Sequence, residues 1–130
     1  MTDRPRVFSG IQPSGELHIG NLIGALDNWV KMQADYQTFY CVVDLHAMTV
    51  PYDASEMERS RLHTAKVVLA AGVDPKKSLF YLQSQVPQHA ELAWILGTMA
   101  GIGQLERMIQ YKEKSDRAGQ IGRASCRERV

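Results

Sequence analysis

Arg6-Val7-Phe8-Ser9-Gly10-Ile11-Gln12-Pro13-Ser14-Gly15-Glu16-Leu17-His18-Ile19-Gly20-Asn21 is the stretch that decides the fold. Its first residues, 6–10, are a short β-branched and aromatic run stopped by a glycine, which predicts a strand. Residues 11–15 are dense in turn formers. From Leu17 the apolar residues Leu22, Ile23, Leu26, Trp29, Val30 and Met32 recur at helical spacing, so a helix is expected over about 17–36. His18, Gly20 and Asn21 fall in its first turn. A strand, a Pro/Gly loop and a helix start in that order aim backbone N–H groups and the positive helix end over the sheet edge, which makes the loop a candidate anion site.

Working outward, Thr38-Phe39-Tyr40-Cys41-Val42-Val43 is almost continuously apolar, as suits a strand buried on both faces of a parallel sheet. It ends at the Asp44-Leu45-His46 corner. Asp53-Ala54-Ser55-Glu56 supplies a cap and an acidic first turn for a second helix to about Ala71, with Gly72 as its stop. Leu79-Phe80-Tyr81-Leu82 reads as a third strand. Val86-Pro87 then breaks the chain before helical segments at about 91–99 and 104–111. Strands alternating with helices predict parallel strands joined by right-handed crossovers. Three strands make a smaller core than doubly wound domains have, so the fold class is an incomplete Rossmann-like α/β nucleotide-binding domain. Ligands in such sheets lie beyond the carboxyl ends of the strands. The loop at 10–15, the corner at 44–46 and the turn at 84–86 lie at those ends.

The residue types in the first loop suit phosphate chemistry. His18 offers an imidazole donor, Asn21 an amide donor, and Gly20 lacks the Cβ that would keep a nucleotide away. The same glycines serve equally as turn and packing residues, and residue chemistry alone leaves the two readings at even odds. Trp29 and Trp94 sit on helical apolar stripes and are expected to pack. His63 and His89 have no metal-like spacing and read as structural or surface residues.

The run Ser9-Gly10-Ile11-Gln12-Pro13-Ser14-Gly15-Glu16-Leu17-His18-Ile19-Gly20-Asn21 resembles the HIGH signature of class I aminoacyl-tRNA synthetases, in the form of the bacterial-type tryptophanyl-tRNA synthetases, where the fourth position is Asn. Four further blocks look like that family at collinear spacing: 42–50, 72–75, 83–90 and 105–115. The resemblance implies ATP-dependent activation of L-tryptophan to tryptophanyl-adenylate and its transfer to tRNA(Trp), in a cytoplasmic homodimer, with Mg²⁺ on the ATP phosphates. It implies that Gln12, Pro13, Ser14, Gly20 and Asn21 line the ATP site. His18, Asn21 and Lys114 would act in catalysis, His18 and Lys114 on the phosphates. Phe8, Gly10, Val43 and His46 would form part of the tryptophan pocket, where aromatic and aliphatic surfaces suit an indole and a glycine leaves room for its plane. For Phe8 and Val43 the residues alone favour plain core packing.

Composition sets the outer limits. At 130 residues and 45% apolar content there is room for one domain with a real core. The net charge of +1 gives no broad electrostatic footprint for nucleic acid or an anionic membrane. Residues 112–130 hold six Lys/Arg against three Asp/Glu, leaving nine against eleven in the rest, so basic character sits at the C-terminal end. Two cysteines make neither a disulfide framework nor a four-ligand zinc site. With no signal-peptide core and no membrane-spanning apolar run, the chain reads as cytosolic. Residues 1–118 are expected to form the N-terminal part of a catalytic nucleotide-binding domain. Residues 119–130 no longer resemble the family and read as a basic tail, disordered or artefactual. No KMSKS-like segment occurs, so these 130 residues alone are expected to activate little or no tryptophan. Two other readings stand beside this one: a non-catalytic ATP-binding module, and a related adenylyl-transferring enzyme such as a tyrosyl-tRNA synthetase.

Overall fold

A computed structural model describes residues 4–13, 18–109 and 111–113. Three parallel strands, β1 (Arg6–Ile11), β2 (Gln37–Val42) and β3 (Ser78–Leu82), form one sheet in the order β1-β2-β3. Register pairs Gly10 with Cys41 and Cys41 with Tyr81. This is the α/β architecture expected from the strand–helix alternation. β2 is the central strand, and Thr38, Tyr40, Cys41 and Val42 on it are all buried.

Side chains alternate across a strand, so each strand offers one set to either face. On one face Ile11, Tyr40 and Val42 meet Leu26, Trp29, Val68 and Val73 in a single core. Trp29 stacks on Tyr40 with ring centroids 4.3 Å apart, the Tyr40 hydroxyl donates to the Trp29 carbonyl at 2.8 Å, and the indole N–H donates to Ser9 Oγ at 3.1 Å. Each polar end of the pair is thereby satisfied inside the core. The expectation that Trp29 packs holds.

Between β1 and β2 the helical rod starts at residue 19, two residues later than periodicity suggested, and it is not uniform. α1 (Ile19–Asn21) runs into a π turn (Leu22–Leu26) and then α2 (Asp27–Met32). The Asp27 N–H reaches back five residues to the Leu22 carbonyl. The wide turn brings Leu26 and Trp29 onto the sheet while Leu22 and Ile23 remain exposed. A 3.6-residue period could not foresee this, because apolar spacing registers a helix without distinguishing its hydrogen-bond ladder.

α3 (Asp44–Ala47) is a single turn at the end of β2, where a bare corner was expected. α4 (Ala54–Ala70) starts as predicted: Asp53 Oδ1 accepts the Ser55 N–H at 2.8 Å. It stops at Gly72, whose φ of +108° is left-handed backbone that a side chain would strain. A 3₁₀ turn (Gln83–Gln85) leads to α5 (Pro87–Met99). Pro87 begins this helix at its first position instead of ending the chain's regular structure before about residue 91. Its missing N–H is one of those that a helix start leaves unpaired anyway. α6 (Ile102–Leu105) follows, and the segment expected as one helix over 104–111 is split by a turn at 106–107. Trp94 does not pack as expected. It is 66% exposed, and Leu92, Ile95, Leu96 and Met99 on the same helix are exposed too. Among the described residues no helix is long and apolar enough to cross a membrane.

A buried polar cluster closes the other end of the sheet. Gln33 Oε1 accepts the Asp74 N–H at 2.7 Å and the Ser78 hydroxyl at 3.0 Å, while its Nε2 donates to the Val30 and Gly72 carbonyls. One amide thus fixes the end of α2 to the α4–β3 connection.

Candidate functional site

The site is assembled at the carboxyl ends of β1 and β2. His18 caps the helical rod with extended backbone, its Nδ1 accepting the Gly20 N–H at 3.1 Å, and Asn21 Oδ1 returns the favour by accepting the His18 N–H at 3.0 Å. This reciprocal capping box uses two of the N–H groups that the sequence assigned to an anion. With Nδ1 accepting, a neutral imidazole carries its proton on Nε2, so the exposed ring retains one outward donor. A Cβ on Gly20 would lie 2.9 Å from the His18 ring. The missing Cβ therefore serves the cap first.

The second group lies on the sheet face opposite the core. Phe8 and Gly10 alternate onto that face of β1, and Phe8 is 63% exposed, so it is not core packing. A Cβ on Gly10 would stand 2.6 Å from Val43 Cγ1. Only glycine lets Val43 lie over β1 here. Val43 is fixed by its own N–H, which donates to the Ile11 carbonyl at 2.9 Å, and His46 follows one turn later in α3. Gly10 and Val43 form an open surface in place of a closed pocket: Val43 is half-buried and Gly10 is exposed, as are Phe8 on the same face of β1 and His46 in α3. Cys41 and Tyr81 lie on the same face, where burial first of all raises the Cys41 thiol and the Tyr81 phenol above their ordinary values. Both stay neutral near pH 7.

Just beyond β1, Gln12 is half-buried; Pro13 is buried and lines a cleft of about 210 Å³ with Tyr52, Asp53 and Glu56. Ser14 and Lys114 lie outside the described residues. The structure thus brings together His18, Gly20 and Asn21, and separately Gly10 and Val43.

Four residues that had no assigned role hold the corner beneath. Asp44, 3% exposed, accepts the Leu45 N–H at 3.1 Å and the Ser84 N–H at 2.9 Å on Oδ1, and the Ser84 hydroxyl at 2.5 Å and Arg61 Nη1 at 3.1 Å on Oδ2. Burial pushes the Asp44 carboxyl up, but the donors from Ser84, Arg61 and Leu45 outweigh it and hold the group below its ordinary value. Gln83 Oε1 accepts the His46 N–H at 3.1 Å. Asp44 and Ser84 at strand ends were a usable signal. Arg61, inside an amphipathic helix, gave none.

A family profile described as class I tRNA synthetases (W and Y) matches residues 1–128. The chain belongs to this family. Tryptophan–tRNA ligases are among its similar relatives: that of Prochlorococcus marinus is 50% identical over 119 residues, 92% of this chain and 35% of that protein. That of Caldanaerobacter subterraneus is 53% identical over 110 residues, 85% of this chain and 34% of that protein. A crystal structure of tryptophanyl-tRNA synthetase from Campylobacter jejuni, complexed with ADP and tryptophan, superposes with a TM-score of 0.79 at 43% identity, covering 85% of this chain and 35% of that one. The class I synthetase chain described here spans about a third of the length of those relatives. Its sheet and helices are the synthetase nucleotide-binding architecture.

Proposed function

We propose that this chain is the N-terminal part of a tryptophan–tRNA ligase, with residues 1–118 its share of the catalytic domain and 119–130 a basic tail outside it. The complete enzyme activates L-tryptophan with ATP and passes the tryptophanyl group to tRNA(Trp) in the cytoplasm. The observation that carries this reading is the close approach of Val43 to Gly10 at the carboxyl ends of β1 and β2, in a chain whose sheet and helices match those of a tryptophanyl-tRNA synthetase; the His18–Asn21 capping box at the head of the following helix supports it.

On this reading the shelf of Phe8, Gly10, Val43 and His46 receives the indole. Phe8 offers an aromatic face, and the absent Gly10 side chain lets the Val43 methyl lie low over β1 as an aliphatic floor. Gln12, Pro13, Ser14, Gly20 and Asn21 line the nucleotide. In the activating step a tryptophan carboxylate oxygen forms a bond to the α-phosphorus as the bond to the bridging oxygen of the β-phosphate breaks, and pyrophosphate leaves with that electron pair. The Nε2–H of His18 donates to a phosphate oxygen as charge builds there, and Asn21, accepting the His18 main-chain N–H, fixes the turn that carries the ring. Lys114 neutralises the departing pyrophosphate. Mg²⁺ carried by the ATP phosphates would supply further charge neutralisation.

A second copy of the chain is the proposed partner besides tRNA. Leu92, Ile95, Leu96 and Met99 fall at i, i+3, i+4 and i+7 of α5 and are all exposed, a stripe of the kind that helices bury. The deciding experiment is amino-acid-dependent exchange of labelled pyrophosphate into ATP by the product of the complete reading frame. Exchange with tryptophan alone is expected. Exchange driven by tyrosine, or saturable ATP binding with no exchange, overturns the reading in favour of a tyrosyl enzyme or a binding module.

A further inference from the structure

A buried carboxylate at the end of β2 is heavily coordinated, yet the proposed chemistry does not use it. Asp44 accepts four hydrogen bonds from three elements: its own turn through Leu45, the 3₁₀ turn through Ser84 twice, and α4 through Arg61. Its side chain is 4% exposed and that of Arg61 32%. A buried ion pair is seldom a bargain for stability, because desolvation consumes most of the attraction. What four directed donors supply is position. Asp44 lies between Val43 and His46, the two shelf residues contributed by this corner, and the neighbouring Gln83 takes the His46 N–H at 3.1 Å. Consecutive residues of the 3₁₀ turn therefore grip the corner at two points, one under the start of α3 and one under His46.

We infer that Asp44, with Ser84 and Arg61, is a positioning residue for the tryptophan shelf: the carboxylate fixes the corner that sets Val43 over Gly10 and carries His46, and so sets amino-acid affinity without touching the amino acid. The inference rests on the shelf being the tryptophan subsite. Because the nucleotide loop is held by its own capping box, the effect is confined to one substrate.

The test is pyrophosphate exchange by the complete protein, with active sites titrated. Ser84→Ala removes one donor and leaves the carboxylate three, and Asp44→Asn removes the charge. Each is expected to raise the KM for tryptophan about tenfold, within the range that ångström-scale misplacement of a bound group costs. The KM for ATP should stay within about twofold, and Ser84→Thr, which keeps the hydroxyl, should restore the tryptophan KM. Equal shifts in both KM values, or a loss of active sites with both KM values unchanged, mean that the cluster is only structural and overturn the inference. A parent protein active with tryptophan whose variants keep its KM refutes the positioning role alone. A parent with no tryptophan-dependent exchange removes the functional reading and this inference together. Should Asp44→Asn not fold, the Ser84→Ala and Ser84→Thr pair carries the comparison.

Discussion

Replacing Gly10 by alanine isolates the contact on which the shelf depends. The new Cβ would meet Val43 Cγ1 at 2.6 Å and the Cys41 carbonyl oxygen at 3.4 Å, while Val43 Cβ stands at an ordinary 3.8 Å. Non-bonded carbons rest about 3.5–4.0 Å apart, so about 1 Å has to be found, and one valine methyl accounts for nearly all of it. Two routes exist. Val43 can turn about χ1, which β-branching makes stiff and which costs about 0.5–1.5 kcal/mol off its rotamer. Alternatively the strand ends can part, stretching the 2.9 Å bond from the Val43 N–H to the Ile11 carbonyl.

Overpacking of this kind costs about 1–3 kcal/mol. Removing glycine's freedom from the unfolded chain returns about 0.4–1 kcal/mol. Gly10→Ala is thus expected to destabilise the chain by about 1–2 kcal/mol, or about 4–8 °C in Tm for a domain of this size. Urea unfolding followed by far-ultraviolet circular dichroism measures it. Val43→Ala removes the obstructing methyl, so in the double variant the two costs should fall short of additive by about 1 kcal/mol or more. Gly10→Ala at or above parental stability, with costs additive to within about 0.3 kcal/mol, would refute the close approach and the glycine floor with it.

His18→Asn keeps a side-chain acceptor for the Gly20 N–H but loses the Nε2 donor. In the complete enzyme pyrophosphate exchange should fall about a hundredfold with the helix signal unchanged; a rate within twofold of the parent would exclude His18 from phosphate stabilisation. Gln33→Ala strips partners from the Asp74 N–H and the Gly72 carbonyl, and should cost about 2–3 kcal/mol in urea unfolding. Asp44 titrates below its ordinary 3.8 in the folded chain, so its stabilisation is complete above that value and is lost as pH falls through the folded one. Unfolding midpoints measured from pH 5 to pH 2 should drop less steeply in Asp44→Asn, and parallel curves would show that the carboxylate is not held.

The strands and the cap of α4 were legible because local rules and tertiary context agree there. A continuously apolar run at residues 38–43 has nowhere to go but the middle of a sheet, and Asp53 before an acidic turn caps a helix whatever surrounds it. Trp94 was misread for the opposite reason. Its stripe on α5 has the pattern of a packed helix, but pattern records only that a face is apolar and says nothing about what covers it. The π turn and the one-turn α3 were invisible because hydrogen-bond ladders depend on packing that composition does not encode.

The same division runs through the site. Gly20 looked like a concession to a nucleotide, and the structure gives its missing Cβ to the His18 ring; Gly10 looked like a concession to an indole, and the structure gives its missing Cβ to Val43. In both places a glycine first lets two protein groups approach, and on the proposed reading it is the surface so formed that a ligand would meet. Placing a small residue is therefore a two-step argument: the backbone contact has to be satisfied before the ligand is. The capping box and the Gly10–Val43 contact are each closed by residues within the chain, so neither needs substrate in order to form. In the proposed site a ligand would meet donors and floor already fixed, which saves the ordering cost that a loop closing on a ligand would bear.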